Sequence, residues 1–79
     1  MFLEAIKKAL SEEFFVDENE ITEESRLKED LGIDSLASMQ LILDMEQKFN
    51  IHVEDEEVME IETVADVIAL LGKKTKEEA

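Results

Sequence analysis

The chain lacks cysteine, proline, tryptophan and tyrosine, and it has only two glycines and one histidine in 79 residues. Without cysteine, neither a disulfide framework nor a thiolate metal site is available. No apolar run is long enough to span a membrane, and the N-terminus shows no secretory signal pattern. These absences predict one small, soluble, cytoplasmic domain whose limited core needs a contribution from every helix.

Basic side chains are also scarce, because 8 lysines and arginines stand against 22 acidic residues and give a net charge of −14. This balance excludes ordinary nucleic-acid binding, which neutralises phosphates with lysine and arginine. It fits a basic partner protein found by electrostatic steering, and it fits equally a surface that is acidic for solubility. The same charge predicts self-repulsion in the folded state, which salt or divalent cations would relieve.

Two long helices are predicted from apolar residues that recur at intervals of three and four. The first runs from Phe2 to Phe15, and the second runs from Ser35 to Phe49 or Asn50. The inner face of the first helix is formed by Leu3, Ile6, Leu10 and Phe14.

Two further helices are expected in the last third of the chain. A short one begins near Asp55, whose side chain can cap it. Thr63 then caps the last helix, and Asp66 completes a capping box three residues later. Gly72 is a natural helix stop, which leaves residues 73–79 as a flexible charged tail.

The predicted fold is therefore all-α: a small four-helix bundle of three longer helices and one short helix. A long loop from Val16 to Asp34 joins the first two helices, with room for a short helix around Glu23 to Leu27. Its irregularly spaced apolar residues predict that the loop is ordered and pinned over the core. Its acidic opening lacks the glycine and glutamate of an EF-hand, so no metal site is predicted.

The stretch from Leu31 to Leu36 precedes the strongest helical pattern in the chain. Gly32 suits a sharp turn, because glycine adopts backbone conformations that other residues resist. Either Asp34 or Ser35 can cap the second helix by accepting a backbone N–H. A serine hydroxyl at this position is exposed and has an acid directly before it.

The second helix carries two apolar surfaces on a helical wheel. A wide face for the core is formed by Met39, Ile42, Met45 and Phe49. A narrow outer face is formed by Leu36 and Leu43, with Gln40 and Gln47 beside them. Two leucines in line with an exposed serine suggest a surface on which a partner docks.

Catalysis is difficult to build from these residues, so the chain is predicted not to be an enzyme. A serine nucleophile needs a base within hydrogen-bond reach and a third group that orients the base. The only histidine, His52, lies past the far end of the helix that Ser35 begins, more than about 20 Å away. Ser35 is therefore interpreted as the substrate of another enzyme, or alternatively as a helix cap alone.

The segment from Glu29 to Leu36 resembles the modification motif of the acyl carrier proteins, with the family's Asp-Ser-Leu at Asp34-Ser35-Leu36. The resemblance extends to the loop segment from Ile21 to Leu27 and to the second helix from Met39 to Phe49. It continues from Asp55 through Val64. It implies an acyl carrier domain over residues 1–72.

The resemblance implies that a phosphopantetheinyl transferase moves 4′-phosphopantetheine from coenzyme A onto Ser35, flanked by Asp34 and Leu36. The thiol of this arm would then carry acyl groups as thioesters between the enzymes of fatty acid biosynthesis. Acyl-transferring and chain-elongating enzymes would bind the carrier, a monomer, through basic patches on their own surfaces. The implied docking residues are Asp34, Leu36, Gln40, Leu43, Asp44 and Gln47. The implied acyl-chain cavity involves Met39, Ile42, Met45 and Ile61.

Several positions depart from the pattern of the fatty acid carriers. Ala37 and Gln40 stand where acids are usual, and Gln47 and Lys48 dilute an acidic run. Fewer charges on this face predict slower steered association with basic partners. A dedicated carrier for a polyketide or another specialised acyl pathway is therefore an alternative. An acidic interaction module without a covalent arm, with Ser35 as a cap only, is an alternative from a different class.

Overall fold

The computed structural model describes the backbone of residues 2–78 and the side chains of residues 2–76. The helices are α1 (Phe2–Phe14), α2 (Ser35–Phe49), α3 (Asp55–Met59) and α4 (Val64–Glu78), with a 3₁₀ turn at Glu18–Glu20. Between residues 2 and 78 the only β-type pairing is an isolated bridge between Arg26 and Thr63. The predicted all-α bundle of three longer helices and one short helix is confirmed.

The core lies between α1, α2 and α4, and the periodic apolar residues supply it. Among its most deeply buried side chains are Ile6, Leu10, Leu41, Ile42, Met45, Val64, Val67 and Leu71. The rings of Phe2 and Phe49 close one end of it, with their centroids 5.2 Å apart in an edge-to-face arrangement. Since each fully buried aliphatic side chain stabilises by about 1.5–3 kcal/mol, these stripes drive the folding of the bundle.

Helix α1 ends at Phe14, one residue earlier than predicted. Phe15 has a left-handed backbone with φ of 60° and is 90% exposed. The N–H of Val16 then donates to the carbonyl of Leu10 at 3.3 Å, which closes the end of the helix. The apolar character of Phe15 misled the prediction, because its side chain does not pack against the core.

The loop between α1 and α2 is ordered, as predicted, but it contains no helix around Glu23 to Leu27. Its helical turn lies earlier, at Glu18–Glu20, and the side chain of Asp17 caps this turn. Backbone bonds attach the loop to the start of α4. Leu27 N–H donates to Glu62 O at 2.9 Å, and Val64 N–H donates to Ser25 O at 3.0 Å. Ile21, Leu27 and Ile33 are buried beneath it.

The capping residues of the last two helices were predicted partly correctly. Thr63 and Asp66 form the predicted box, because Thr63 N–H donates to Asp66 Oδ2 at 3.0 Å and Asp66 N–H donates to Thr63 Oγ1 at 3.2 Å. Hydrogen bonds from the N–H groups of Glu62 and Thr63 lower the pKa of the Asp66 carboxyl. The residue before α3 is Glu54 rather than Asp55, and its N–H donates to Glu57 Oε1 at 3.0 Å.

The predicted stop at Gly72 is wrong, because α4 continues to Glu78. Gly72 does not adopt a left-handed backbone, and the hydroxyl of Thr75 donates to Leu71 O at 2.8 Å within the continuing helix. Ala79 lies outside the described residues, and the flexibility of residues 73–79 stays a prediction. None of the helices in the described part of the chain has the length and apolarity needed to cross a membrane.

Candidate functional site

A tight turn leads the chain into α2. The N–H of Ile33 donates to Leu27 O at 2.7 Å, and the N–H of Gly32 donates to Lys28 O at 3.1 Å. Gly32 has φ of +70°, where glycine is favoured over residues with a Cβ. Ile33 is buried while Gly32 and Asp34 are exposed, so the turn anchors one side chain and leaves its neighbours in solvent.

Asp34, and not Ser35, caps α2. Its side chain accepts a hydrogen bond from Ala37 N–H at 2.9 Å, with its backbone in an extended conformation. Ser35 is consequently the first residue of the helix, and it is exposed. The interpretation of Ser35 as a helix cap is therefore wrong, and its hydroxyl has no capping role to perform.

A cleft of about 260 Å³ opens beside Ser35, between the start of α2, the end of the loop and α3. Its apolar wall consists of Leu27, Ile33, Met39, Val58, Met59 and Ile61. Its polar lining consists of Lys28, Glu29, Asp34, Ser35, Ser38 and Glu62. The exposed serine and the apolar wall therefore belong to one concave site.

The structure brings together two of the four residues named for an acyl-chain cavity. Met39 and Ile61 line the cleft, and Met39 is 40% exposed. Ile42 and Met45 do not line it, since both are packed into the core at 2% exposure. The wide face of α2 is thus divided between the cleft near Ser35 and the core farther along the helix.

Sequence reasoning missed most of the cleft wall. Leu27, Ile33, Val58 and Met59 come from the loop and from α3, which are far apart along the chain. No periodic pattern connects them, because they meet only when the loop and α3 fold back against α2. For Leu27 and Ile33, the one signal available in the sequence was their irregular apolar spacing close to the modification motif.

The outer face of α2 is exposed as predicted. Leu36 is 79% exposed and Leu43 is 50% exposed, with Gln40 and Gln47 also in solvent. Asp44 is half-buried, and its Oδ1 accepts a hydrogen bond from Gln40 Nε2 at 3.4 Å. The assignment of these residues to partner docking stays a prediction.

Asp44 also takes part in a pair of carboxyl groups that joins α2 to α1. Its Oδ2 is buried, and no N–H or hydroxyl group of the described residues donates to it. A hydrogen bond to Asp44, with smaller effects of desolvation and of the Asp44 and Glu12 charges, raises the pKa of Glu13 from 4.5 to about 7. While Glu13 keeps its proton, it can donate a hydrogen bond to the Asp44 carboxylate. No pattern within a single helix predicts this contact, because Glu13 lies in α1 and Asp44 lies in α2.

His52 lies in the segment after α2, whereas Ser35 begins that helix. It is 70% exposed and lies beside two acids, with its Nε2 3.0 Å from Glu54 Oε1 and its Nδ1 3.5 Å from Glu46 Oε2. Among the residues that line the cleft beside Ser35, the ionisable side chains are carboxylates and Lys28, and none is a histidine. This arrangement does not form a hydrolytic triad.

The fold and the site define a class of protein: a small helical domain that presents an exposed serine at a helix start, beside an apolar cleft. Residues 4–71 match the protein family described as the phosphopantetheine attachment site. An acyl carrier protein of Thermotoga maritima is 41% identical over 69 residues, which cover 87% of this chain and 85% of the relative. An acyl carrier protein of Wolinella succinogenes is 46% identical over 63 residues, covering 80% and 83% respectively.

The fold agrees with these relatives. A crystal structure of an acyl carrier protein from Thermotoga maritima matches with a TM-score of 0.88 and 31% identity, over 100% of this chain and 96% of that chain. The chain therefore belongs to the phosphopantetheine-binding family of acyl carrier proteins. Its cofactor is phosphopantetheine. The members of the family are carriers and not catalysts, and they interact with modifying and acyl-handling enzymes.

Proposed function

We propose that Ser35 is the residue that carries 4′-phosphopantetheine. The observation that supports this most directly lies at the start of α2. Asp34 caps the helix, so the Ser35 side chain is not needed as a cap and is exposed at the cleft. The site fits the group, because a phosphate ester on Ser35 would lie near the N-terminal end of α2, which favours negative charge. When bound, the arm supplies a thiol that holds an acyl group as a thioester.

The residues around Ser35 have separable roles in this proposal. Asp34 fixes the start of α2, and Leu36 stands exposed on the next position for contact with the phosphopantetheinyl transferase. The cleft wall, including Met39 and Ile61, would shelter the acyl chain from water at about 0.8 kcal/mol per buried methylene. Ile42 and Met45 would support this wall from the core.

Partner enzymes would use the outer face of α2. Leu36 and Leu43 supply apolar contact area, and Asp34 supplies charge for a basic patch. Gln40, Asp44 and Gln47 complete the proposed surface. The partners proposed are a phosphopantetheinyl transferase and the acyl-transferring and chain-elongating enzymes of fatty acid biosynthesis. The carrier would act as a monomer in the cytoplasm, where these enzymes use it.

Intact mass spectrometry tests the site. The protein is incubated with coenzyme A, magnesium and a phosphopantetheinyl transferase of broad specificity, beside Ser35→Ala and Ser38→Ala. Ser38 is the matched control, because it also lines the cleft. We expect one added phosphopantetheine group on the parent and on Ser38→Ala and none on Ser35→Ala. Addition to Ser35→Ala, or no addition to a folded parent, would overturn the proposal.

The pathway needs a separate assay. Purified carrier with its arm is offered to the acyl-transferring enzymes of fatty acid biosynthesis and, in parallel, to those of a polyketide pathway. Faster loading by the first set supports the fatty acid role. Loading by the second set alone would favour a dedicated carrier for a specialised acyl pathway. Gln40 and Gln47 on the docking face are compatible with such a carrier.

A further inference from the structure

The outer wall of the cleft depends on a short helix with few buried side chains. Helix α3 has five residues, of which Val58 is buried and Met59 is 84% exposed. Elements with few buried contacts open locally at low cost. The position of this wall therefore depends on the specific contacts that hold α3 to its neighbours.

One carboxylate oxygen ties α3 to α4. Oε1 of Glu57 accepts the N–H of Glu54 at 3.0 Å and lies 2.9 Å from Nζ of Lys74. The side chains of Lys74 and Glu57 are only 14% and 23% exposed. Hydrogen bonds from Glu54 N–H and then from Lys74 lower the pKa of Glu57, so the carboxyl is charged at neutral pH.

This contact exists because α4 does not stop at Gly72. Lys74 lies in the continuing part of the helix, where its side chain reaches back to the first turn of α3. Partly buried ion pairs are screened by solvent less than exposed ones. Lys74 thus acts on α3, whose residues Val58 and Met59 form the cleft wall, although it does not line the cleft itself.

We propose that Lys74 is a positioning residue for the cleft: its ion pair with Glu57 holds α3 against α4 and limits how far the cleft opens. A guest chain that outgrows the cleft displaces Val58 and Ile61, and α3 moves outward only when the ion pair separates. The pair would therefore set the length of apolar chain that the site accepts without penalty. The part that concerns an acyl chain rests on the proposed function.

Hydrogen exchange on the unmodified protein tests the restraint. The N–H groups of Val58, Glu60 and Ile61 donate to the carbonyls of Glu54, Glu57 and Val58, which lie just before and within α3. Their exchange therefore reports the opening of α3. In Lys74→Gln we expect these amides to exchange about three- to tenfold faster, relative to core amides of α1 in the same protein.

Three matched variants make the test specific. Lys76→Gln removes the same charge from the exposed side of α4 and should leave α3 exchange unchanged. Lys74→Arg should restore protection. Glu57→Gln keeps an oxygen for Glu54 N–H but lacks the charge, so it replaces Lys74→Gln if that protein does not fold. Equal exchange in Lys74→Gln and Lys76→Gln would overturn the proposal.

The second measurement concerns the cleft. The carrier is loaded with saturated acyl groups of increasing length, and the rise in Tm over the unloaded carrier is recorded. The rise should level off at a longer chain in Lys74→Gln than in the parent. An unchanged length profile would overturn the role in the cleft. Because the exchange experiment needs no prosthetic group, an unmodified Ser35 would defeat the proposed function without affecting the test of Lys74.

Discussion

The two glycines of the chain occupy different backbone conformations, so substitution with alanine should have opposite effects. Gly32 has φ of +70° and open space around it, so alanine there meets only backbone strain. Left-handed geometry costs an alanine about 1 kcal/mol, and we expect Gly32→Ala to lower the free energy of unfolding by about that amount. Urea unfolding measures the change.

Gly72→Ala is the matched control. Gly72 lies within α4, and an added Cβ would lie 3.9 Å from the Phe2 ring, an ordinary contact. Since alanine favours helix over glycine, this variant should gain about 0.5–1 kcal/mol. A stability loss in Gly72→Ala, or none in Gly32→Ala, would contradict the backbone assignment at these positions.

The Glu13–Asp44 pair predicts a pH dependence of stability. The pKa of Glu13 is raised in the folded protein from 4.5 to about 7, so the folded state keeps a proton that the unfolded chain releases in this range. Stability should therefore fall as pH rises from about 4.5 to 7, and the loss should be complete above that range. We expect Asp44→Asn to raise Tm above pH 7 and to flatten this slope.

Glu12→Gln provides the control for that pair. Glu12 is exposed beside Glu13 and faces the same surface with Lys8 and Lys48, but it does not share the hydrogen bond. Its removal lowers the negative charge equally and should leave most of the slope in place. Identical pH profiles for Glu12→Gln and Asp44→Asn would show that general repulsion, and not the carboxyl pair, causes the dependence.

At the scale of the elements, α2 presents a docking face with less charge than the whole molecule has. Gln47 is exposed and no hydrogen bond fixes it among the described contacts, so Gln47→Glu should change stability little. Under the proposed function, it should speed association with a basic phosphopantetheinyl transferase severalfold, because steering grows with complementary charge. Stopped-flow binding measures the rate.

The contrast is with Ala69→Glu, which adds the same charge to the exposed surface of α4. The gain from Gln47→Glu should disappear at high salt, since screening removes steering between exposed charges. An equal acceleration by both variants would mean that net charge, not the α2 face, guides the partner.

The elements also show which features a sequence can predict. The stripe of Ile6 and Leu10 and the box of Thr63 and Asp66 depend on residues three or four apart, so local spacing sufficed. The continuation of α4 past Gly72 was missed, because a glycine is compatible with both a stop and a helix interior.

In the candidate site, too, some features could be predicted from local sequence and others could not. The exposed Ser35 and the outer leucines followed from motif and helical wheel. The wall formed by Leu27 and Val58, and the pair of Glu13 with Asp44, required knowledge of which elements touch. Those contacts join residues about thirty apart along the chain, and no pattern within one helix encodes them.

For the whole molecule, a net charge of −14 on 79 residues should weaken the compact state through repulsion. We expect sodium chloride to raise Tm by screening, and magnesium to raise it further at equal ionic strength, because clustered carboxylates attract a divalent cation more strongly. Calorimetry across both salt series makes the measurement. A Tm that stays flat in both would contradict this expectation.

The backbone bonds between the loop and the start of α4 have a consequence for the order of events in the cell. Ala65 N–H donates to Glu23 O at 2.8 Å, and Leu27 N–H donates to Glu62 O at 2.9 Å, so the turn before Ser35 is held by residues translated long after it. A chain still emerging from the ribosome contains the serine well before it contains these anchors. Under the proposed function, the nascent chain should therefore become a good substrate for modification at Ser35 only when α4 has emerged and docked.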